Sequence, residues 1–136
     1  MAAFNGTWKF VESSNLRELF NEIGAFKELA DAADQFKPTV ILTVNDTELR
    51  MKITMFDREV ERVYELGKEV DEVSLDGRNV RTLLTAESEK LTYKQTDGGN
   101  LEVCATCEVH GDIMTTIISV GNVTANLKYE RVCCGV

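Results

Sequence analysis

The side chains best suited to chemistry are four cysteines and a single histidine. Cys104 and Cys107 form a C-x-x-C, Cys133 and Cys134 are adjacent near the end, and His110 follows Cys107 closely. A zinc centre needs four such ligands converging as a tetrahedron. Cys104 and Cys107 instead fall in an alternating run, where residues three apart point to opposite faces of a strand. His110 belongs to the turn beyond. The pattern therefore predicts packed or surface thiols, no metal site and no cofactor. Cys107 and His110 fail as a nucleophile–base pair for the same geometric reason. No G-x-S-x-G, P-loop or G-x-G-x-x-G occurs, and the acidic residues read as surface charge. An enzyme is the weaker reading, and the chemistry must reside in a binding space.

Most of the chain is patterned to enclose one. Leu16, Leu19, Phe20 and Ile23 recur at helical spacing and make one apolar stripe. Asn15 ahead of Glu18 reads as a cap with a reciprocal partner, and Gly24 as a stop. Phe26, Leu29, Ala30 and Ala33 repeat the spacing, ending before Pro38. As a DNA-binding helix pair this segment is unsuited, being acidic at Glu18, Glu22, Glu28, Asp31 and Asp34.

Beyond residue 38 the period switches to two. Leu49, Met51, Ile53 and Met55 alternate with polar residues, as do Leu101 to Val109 and Val123 to Tyr129. Turn signals at Asn45-Asp46, Gly67, Asp76-Gly77, Asp97-Gly98-Gly99, Gly111 and Gly121-Asn122 divide this region into a meander of roughly ten antiparallel strands. Such a sheet twists until it splits or closes. With one apolar face and nothing to cover it, closure into a barrel is favoured over a sandwich. A barrel of more than about eight strands is wider than its side chains can fill. Met55, Ile53, Ile118 and Leu127 face inward, and so do the polar Arg78, Thr82, Gln95 and Thr116, which implies a partly hydrated pocket. The stripe of Leu16, Phe20 and Phe26 would face its mouth.

Composition narrows the partners. The chain has 136 residues, 15 basic against 23 acidic, for a net charge of −8. That surface repels phosphate backbones, so nucleic acid is excluded as a partner. No apolar run approaches the ~18–20 residues of a membrane helix. The start, Met-Ala-Ala-Phe-Asn-Gly-Thr-Trp-Lys, has no secretory pattern. The expectation is a cytoplasmic protein with reduced cysteines, whose Asn-x-Thr triplets are chance matches.

Phe4-x-Gly6-Thr7-Trp8-Lys9, Glu12-Ser13-x-Asn15, Lys37-Pro38, Leu66-Gly67-x-Glu69, Asp76-Gly77-Arg78-x-Val80, Val123-Thr124 and Tyr129-Glu130 together resemble the intracellular lipid-binding proteins, on the cytosolic fatty-acid-binding branch and its invertebrate type. The resemblance spans almost the whole chain. It implies an all-β, ten-stranded antiparallel up-and-down β-barrel of the lipocalin-like (calycin) kind, with a two-helix lid over about residues 15–36, in one domain, 1–136. It also implies a non-catalytic, monomeric carrier of one long-chain fatty acid or similar hydrophobic molecule, with the lid available for transient membrane contact.

Members that bind fatty acids hold the carboxylate with an arginine two residues before the last-strand tyrosine and another on an earlier strand. Tyr129 matches the tyrosine, but Leu127 and Cys107 occupy the arginine positions. Three outcomes stay open. The ligand is neutral (a retinoid, fatty alcohol or monoacylglycerol); or a fatty acid binds protonated or with its headgroup near Arg58; or Arg78, with Asp76 beside it, supplies the cation. The candidate contacts are Tyr129, Leu127, Cys107, Arg78, Asp76, Gln95, Thr116 and Ile118 within the barrel, with Ile53 and Met55. At the portal they are Leu16, Phe20, Ala33, Pro38, Phe56 and Arg58. An interaction module and a small lipid-pathway enzyme are the competing classes.

Overall fold

The computed structural model describes residues 2–24, 30–56, 58–74, 77–87, 89–98 and 101–132. After a 3-10 turn at Ala2–Phe4 come β1 (Gly6–Ser14) and α1 (Leu16–Ile23). The strands that follow are β2 (Thr39–Val44), β3 (Glu48–Met55), β4 (Arg58–Glu65), β5 (Val70–Val73), β6 (Asn79–Glu87), β7 (Lys90–Thr96), β8 (Glu102–His110), β9 (Ile113–Val120) and β10 (Val123–Arg131). All ten form one antiparallel sheet in the order β4-β3-β2-β1-β10-β9-β8-β7-β6-β5. Sequence neighbours pair, and β1 joins β10 to wrap the sheet on itself.

The closure is incomplete. β4 and β5 stand at the two ends of the strand order and do not pair with each other. Side chains span this seam instead. Arg62 Nη1 on β4 donates to Glu72 Oε1 on β5 at 2.7 Å, its Nη2 donates to the Val73 carbonyl at 2.9 Å, and the Tyr64 hydroxyl lies 3.0 Å from both Glu72 oxygens. β5 has only four residues, so it offers little ladder for β4 to extend, and charge-assisted bonds take over. The ten-stranded antiparallel barrel is as expected, nearly closed, with this seam bridged by side chains.

The lid is described in part. Among the described residues there is one α-helix, α1, with Leu16, Leu19 and Phe20 buried. Of the second helical stretch, Phe26 and Leu29 lie outside the described residues; Ala30 and Asp31 are helical, and a 3-10 turn spans Ala33–Gln35. The proposed cap is corrected. Asn15 adopts a left-handed φ of 67° and its side chain makes no cap hydrogen bond; its Nδ2 donates to the Thr124 carbonyl at 2.9 Å. That side chain ties the helix entrance to β10, while the Asn15 carbonyl accepts from the Leu19 N–H at 3.1 Å. Gly24 does end α1, at φ 79°, donating to the Asn21 and Phe20 carbonyls.

Alternation and burial agree along the strands. Val40, Leu42, Leu49, Leu84, Leu91, Ala125 and Leu127 are buried, while out-facing cross-strand pairs such as Lys52–Glu59 and Lys90–Glu108 lie in solvent. Phe4 and Trp8, both fully covered, anchor the packing at the start of β1.

Candidate functional site

The pairing registers fix which side chains face the inside. On β10, β9 and β8, Leu127, Thr116 and Cys107 stand side by side, and the next row is Tyr129, Met114 and Val109. A bulge interrupts β1 opposite β10, between Phe10 and Glu12. The β10–β9 register runs unbroken, so Leu127 points inward and Lys128 outward. Lys128 is thereby removed as a substitute for the missing arginines.

Several in-facing residues at mid-strand are only half covered. They include Met51 and Ile53 on β3, Tyr93 on β7, Cys107 on β8, and Thr116 and Ile118 on β9. Close packing of a solid core would cover them. Partial cover on the inside of a wrapped sheet means that they border a space, which the width of a ten-stranded barrel requires.

Among the described residues, the end of that space near Tyr129 is lined by neutral side chains. Cys107 Sγ lies 3.2 Å from Thr116 Oγ1, and burial pushes the Cys107 thiol pKa up. The Tyr129 phenol is also raised, by burial first and by Cys107 second, and its ring meets Phe10 edge-on at 6.3 Å. Cys104, on the opposite face of β8, donates instead to Glu102 Oε1 at 3.4 Å. The C-x-x-C is split across the wall as its spacing required. Iodoacetamide at pH 8 is therefore expected to modify Cys107 slowly, since the thiolate is its reactive form. Added palmitate should slow Cys107 several-fold further while leaving Cys104 unchanged, read by peptide mass spectrometry. Equal Cys107 rates with and without palmitate would place that thiol outside the lumen.

A polar wall occupies another side. Arg78, in the turn before β6, donates from Nη2 to Gln95 Oε1 at 3.2 Å, and Gln95 Nε2 donates to the Tyr93 hydroxyl. Gln95 and Thr82, paired across β7 and β6, are buried. The Arg62–Glu72–Tyr64 bridge adjoins them. Burial, then the Glu72 carboxylate, push the Tyr93 phenol up to about 12. The same two causes, in the same order, raise Tyr64. Beside the seam, an open groove of about 660 Å³ is bordered by in-facing Glu72 and Val80 and by out-facing Asp71 and Arg81.

Over the mouth, three aromatic rings connect the lid to the barrel. Phe20 on α1 meets Phe36 at 5.5 Å, and Phe36 meets Phe56 at 5.9 Å. Phe56, in the β3–β4 turn, is 47% exposed and holds a left-handed φ of 53°, a conformation costing a side-chain-bearing residue about 1–2 kcal/mol. Its ring is the outermost link of the chain. Phe56→Ala is expected to speed palmitate release several-fold in stopped flow while changing global stability by less than about 1 kcal/mol. Unchanged rates would detach Phe56 from the portal.

Other nominated residues distribute plainly. Leu16, Ala33, Pro38 and Met55 are buried, Arg58 is exposed at the start of β4, and Asp76 lies outside the described residues. Arg62, Tyr64, Glu72, Tyr93 and Phe36 were not among the candidates. Period two does run through β4 as Arg58, Val60, Arg62 and Tyr64, but two arginines on the in-facing phase erase its apolar signature.

No family model matches the chain. It is 35% identical over 134 residues to a fatty acid-binding protein of Clonorchis sinensis, covering 96% of this chain and 99% of that one. The solved Schistosoma mansoni fatty acid binding protein in complex with arachidonic acid superposes with a TM-score of 0.91 at 31% identity, over 98% of both chains. The bilirubin-inducible fluorescent protein UnaG of Anguilla japonica is 33% identical over 135 residues, 94% of this chain and 95% of that one.

Proposed function

Because the chain belongs to the fatty-acid-binding protein family, we propose that it is a non-catalytic carrier holding one long-chain fatty acid, or a similar hydrophobic molecule, inside its barrel. The observation that carries this is the set of half-covered apolar residues lining the wrapped sheet, Met51, Ile53 and Ile118 among them. Each buried methylene contributes about 0.8 kcal/mol, so a 16-carbon tail offers about 13 kcal/mol gross before association costs. No reactive group is required. The relatives' names describe binding proteins, which favours carriage over conversion.

A neutral-lipid reading has its own support. Leu127 and Cys107 leave the Tyr129 end without a cation, and a buried carboxylate lacking donors costs several kcal/mol. The finer features belong to the same proposal: one domain over 1–136, a second lid helix following α1, a monomer in the cytoplasm, and transient membrane contact through the lid. Ligand contacts would come from Leu127, Cys107, Thr116, Ile118, Ile53 and Met55 along the tail, with Phe20 and Phe56 at entry.

Organic extraction of the purified protein followed by mass spectrometry tests it. An apolar molecule recovered near one per chain supports the carrier. An empty protein that also fails to take up added lipid defeats it, and turnover products would point to an enzyme.

A further inference from the structure

Neighbouring strands of the barrel are joined by backbone ladders everywhere except between β4 and β5, the two ends of the strand order. Side chains do the joining there. Arg62 donates to Glu72 at 2.7 Å and to the Val73 carbonyl at 2.9 Å, and the Tyr64 hydroxyl adds a bond to Glu72 at 3.0 Å. A ladder spreads its strength along a strand. This contact turns on one carboxylate, to which both donors of β4 are committed.

An ion pair is a costly choice at this place. In the outer pair Lys52–Glu59 the side chains are 39% and 57% exposed, whereas Arg62 and Glu72 are 25% and 11% exposed. Two charges taken out of water recover little net stability, and packed apolar residues of similar volume often serve as well or better. Stability alone therefore does not account for the bridge. Its reach and direction do, because it spans a boundary where backbone groups leave the two edges unpaired.

The bridge also stands between two spaces. Outside is the open groove bordered by Glu72 and Val80. Inside, Arg62 is registered with Met51 and Tyr64 with Leu49 on β3, and Met51 is one of the half-covered residues of the lumen. Tyr93, another of those residues, lies close enough to Glu72 to feel its charge.

We propose that the Arg62–Glu72–Tyr64 bridge is a strap holding shut a side opening of the barrel, through which water and small solutes pass between groove and lumen when β4 and β5 part. This goes beyond the carrier reading, which concerns what the lumen holds and not where its wall gives way. A boundary without a ladder is the place where such a wall opens locally, ahead of global unfolding.

Alkylation by iodoacetamide in the empty full-length protein reads the opening, since Cys107 faces the lumen and Cys104 the outside. Arg62→Met and Glu72→Gln are each expected to speed Cys107 several-fold and leave Cys104 unchanged. Arg62→Lys, which keeps a cation beside Glu72, should recover part of the slow rate. Lys52→Met breaks an outer pair across a laddered boundary and should alter neither thiol. Glu72→Gln preserves the shape of the site, so the test stands if Arg62→Met does not fold. Trp8→Ala loosens the fold away from the seam and serves as the comparison, made at equal unfolding free energy set with urea. An unchanged Cys107 rate in Glu72→Gln would overturn the strap. So would an equal acceleration in Trp8→Ala, which would mean that reagent enters by general unfolding. No lipid enters the measurement, so either failure leaves carriage to be judged by palmitate binding.

Discussion

Trp8→Ala is expected to lower the unfolding free energy by about 3–5 kcal/mol, the range for truncating a buried large aromatic. Trp8 is fully covered, and its indole N–H donates to the Phe4 carbonyl at 2.9 Å. The Arg131 guanidinium lies 4.3 Å from the centre of its ring. That guanidinium is itself fixed, donating to Asp112 Oδ1 at 3.2 Å and to the carbonyls of Ala3 and Asn5. One side chain thus joins the 3-10 turn at Ala2–Phe4, β1 and β10 where the sheet wraps. Against a total of about 5–15 kcal/mol, the loss leaves the variant close to its unfolding threshold. Urea denaturation measures it. A loss under 1 kcal/mol would show that the N-terminal turn and the wrap are held by other contacts.

The second large effect concerns ligand choice. Leu127→Arg puts a guanidinium in the neutral row beside Thr116 and Cys107, two residues before Tyr129. Palmitate should gain on hexadecanol by about 1–3 kcal/mol, or about 5- to 150-fold, the value of hydrogen bonds to charged groups. The empty variant should also lose stability, because a buried cation without a partner is expensive. Titrating both ligands into both proteins gives the difference directly. An unaltered preference would mean that position 127 does not meet the headgroup even when given a charge for it.

Much of this architecture is legible in the chain. The switch from the stripe of Leu16, Leu19, Phe20 and Ile23 to strict alternation marks the passage from helix to sheet. The phase of Val123, Ala125, Leu127 and Tyr129 correctly sets their inward register. Alternation also separates Cys104 from Cys107 correctly. What period two cannot convey is closure. The seam between β4 and β5 depends on how few residues β5 contributes, and Glu72 in a four-residue strand carries no periodic signal. The polar wall is hidden for a related reason. Arg62 and Glu72 look like ordinary surface charge until the register places them on the in-facing side, and Tyr93 looks like core until Gln95 and Thr82 are beside it. The failed cap at Asn15 shows the limit of local rules: a tertiary hydrogen bond to Thr124, far along the chain, won over the helix end.

Carriage depends on an accessible apolar lumen, and calorimetric titration of palmitate into delipidated protein examines it most directly. Saturation at one molecule per chain, with a negative heat-capacity change from apolar burial, is the predicted result. Absence of saturable heat across temperatures where that heat-capacity change must expose it, with the protein shown to be folded, would contradict such a lumen.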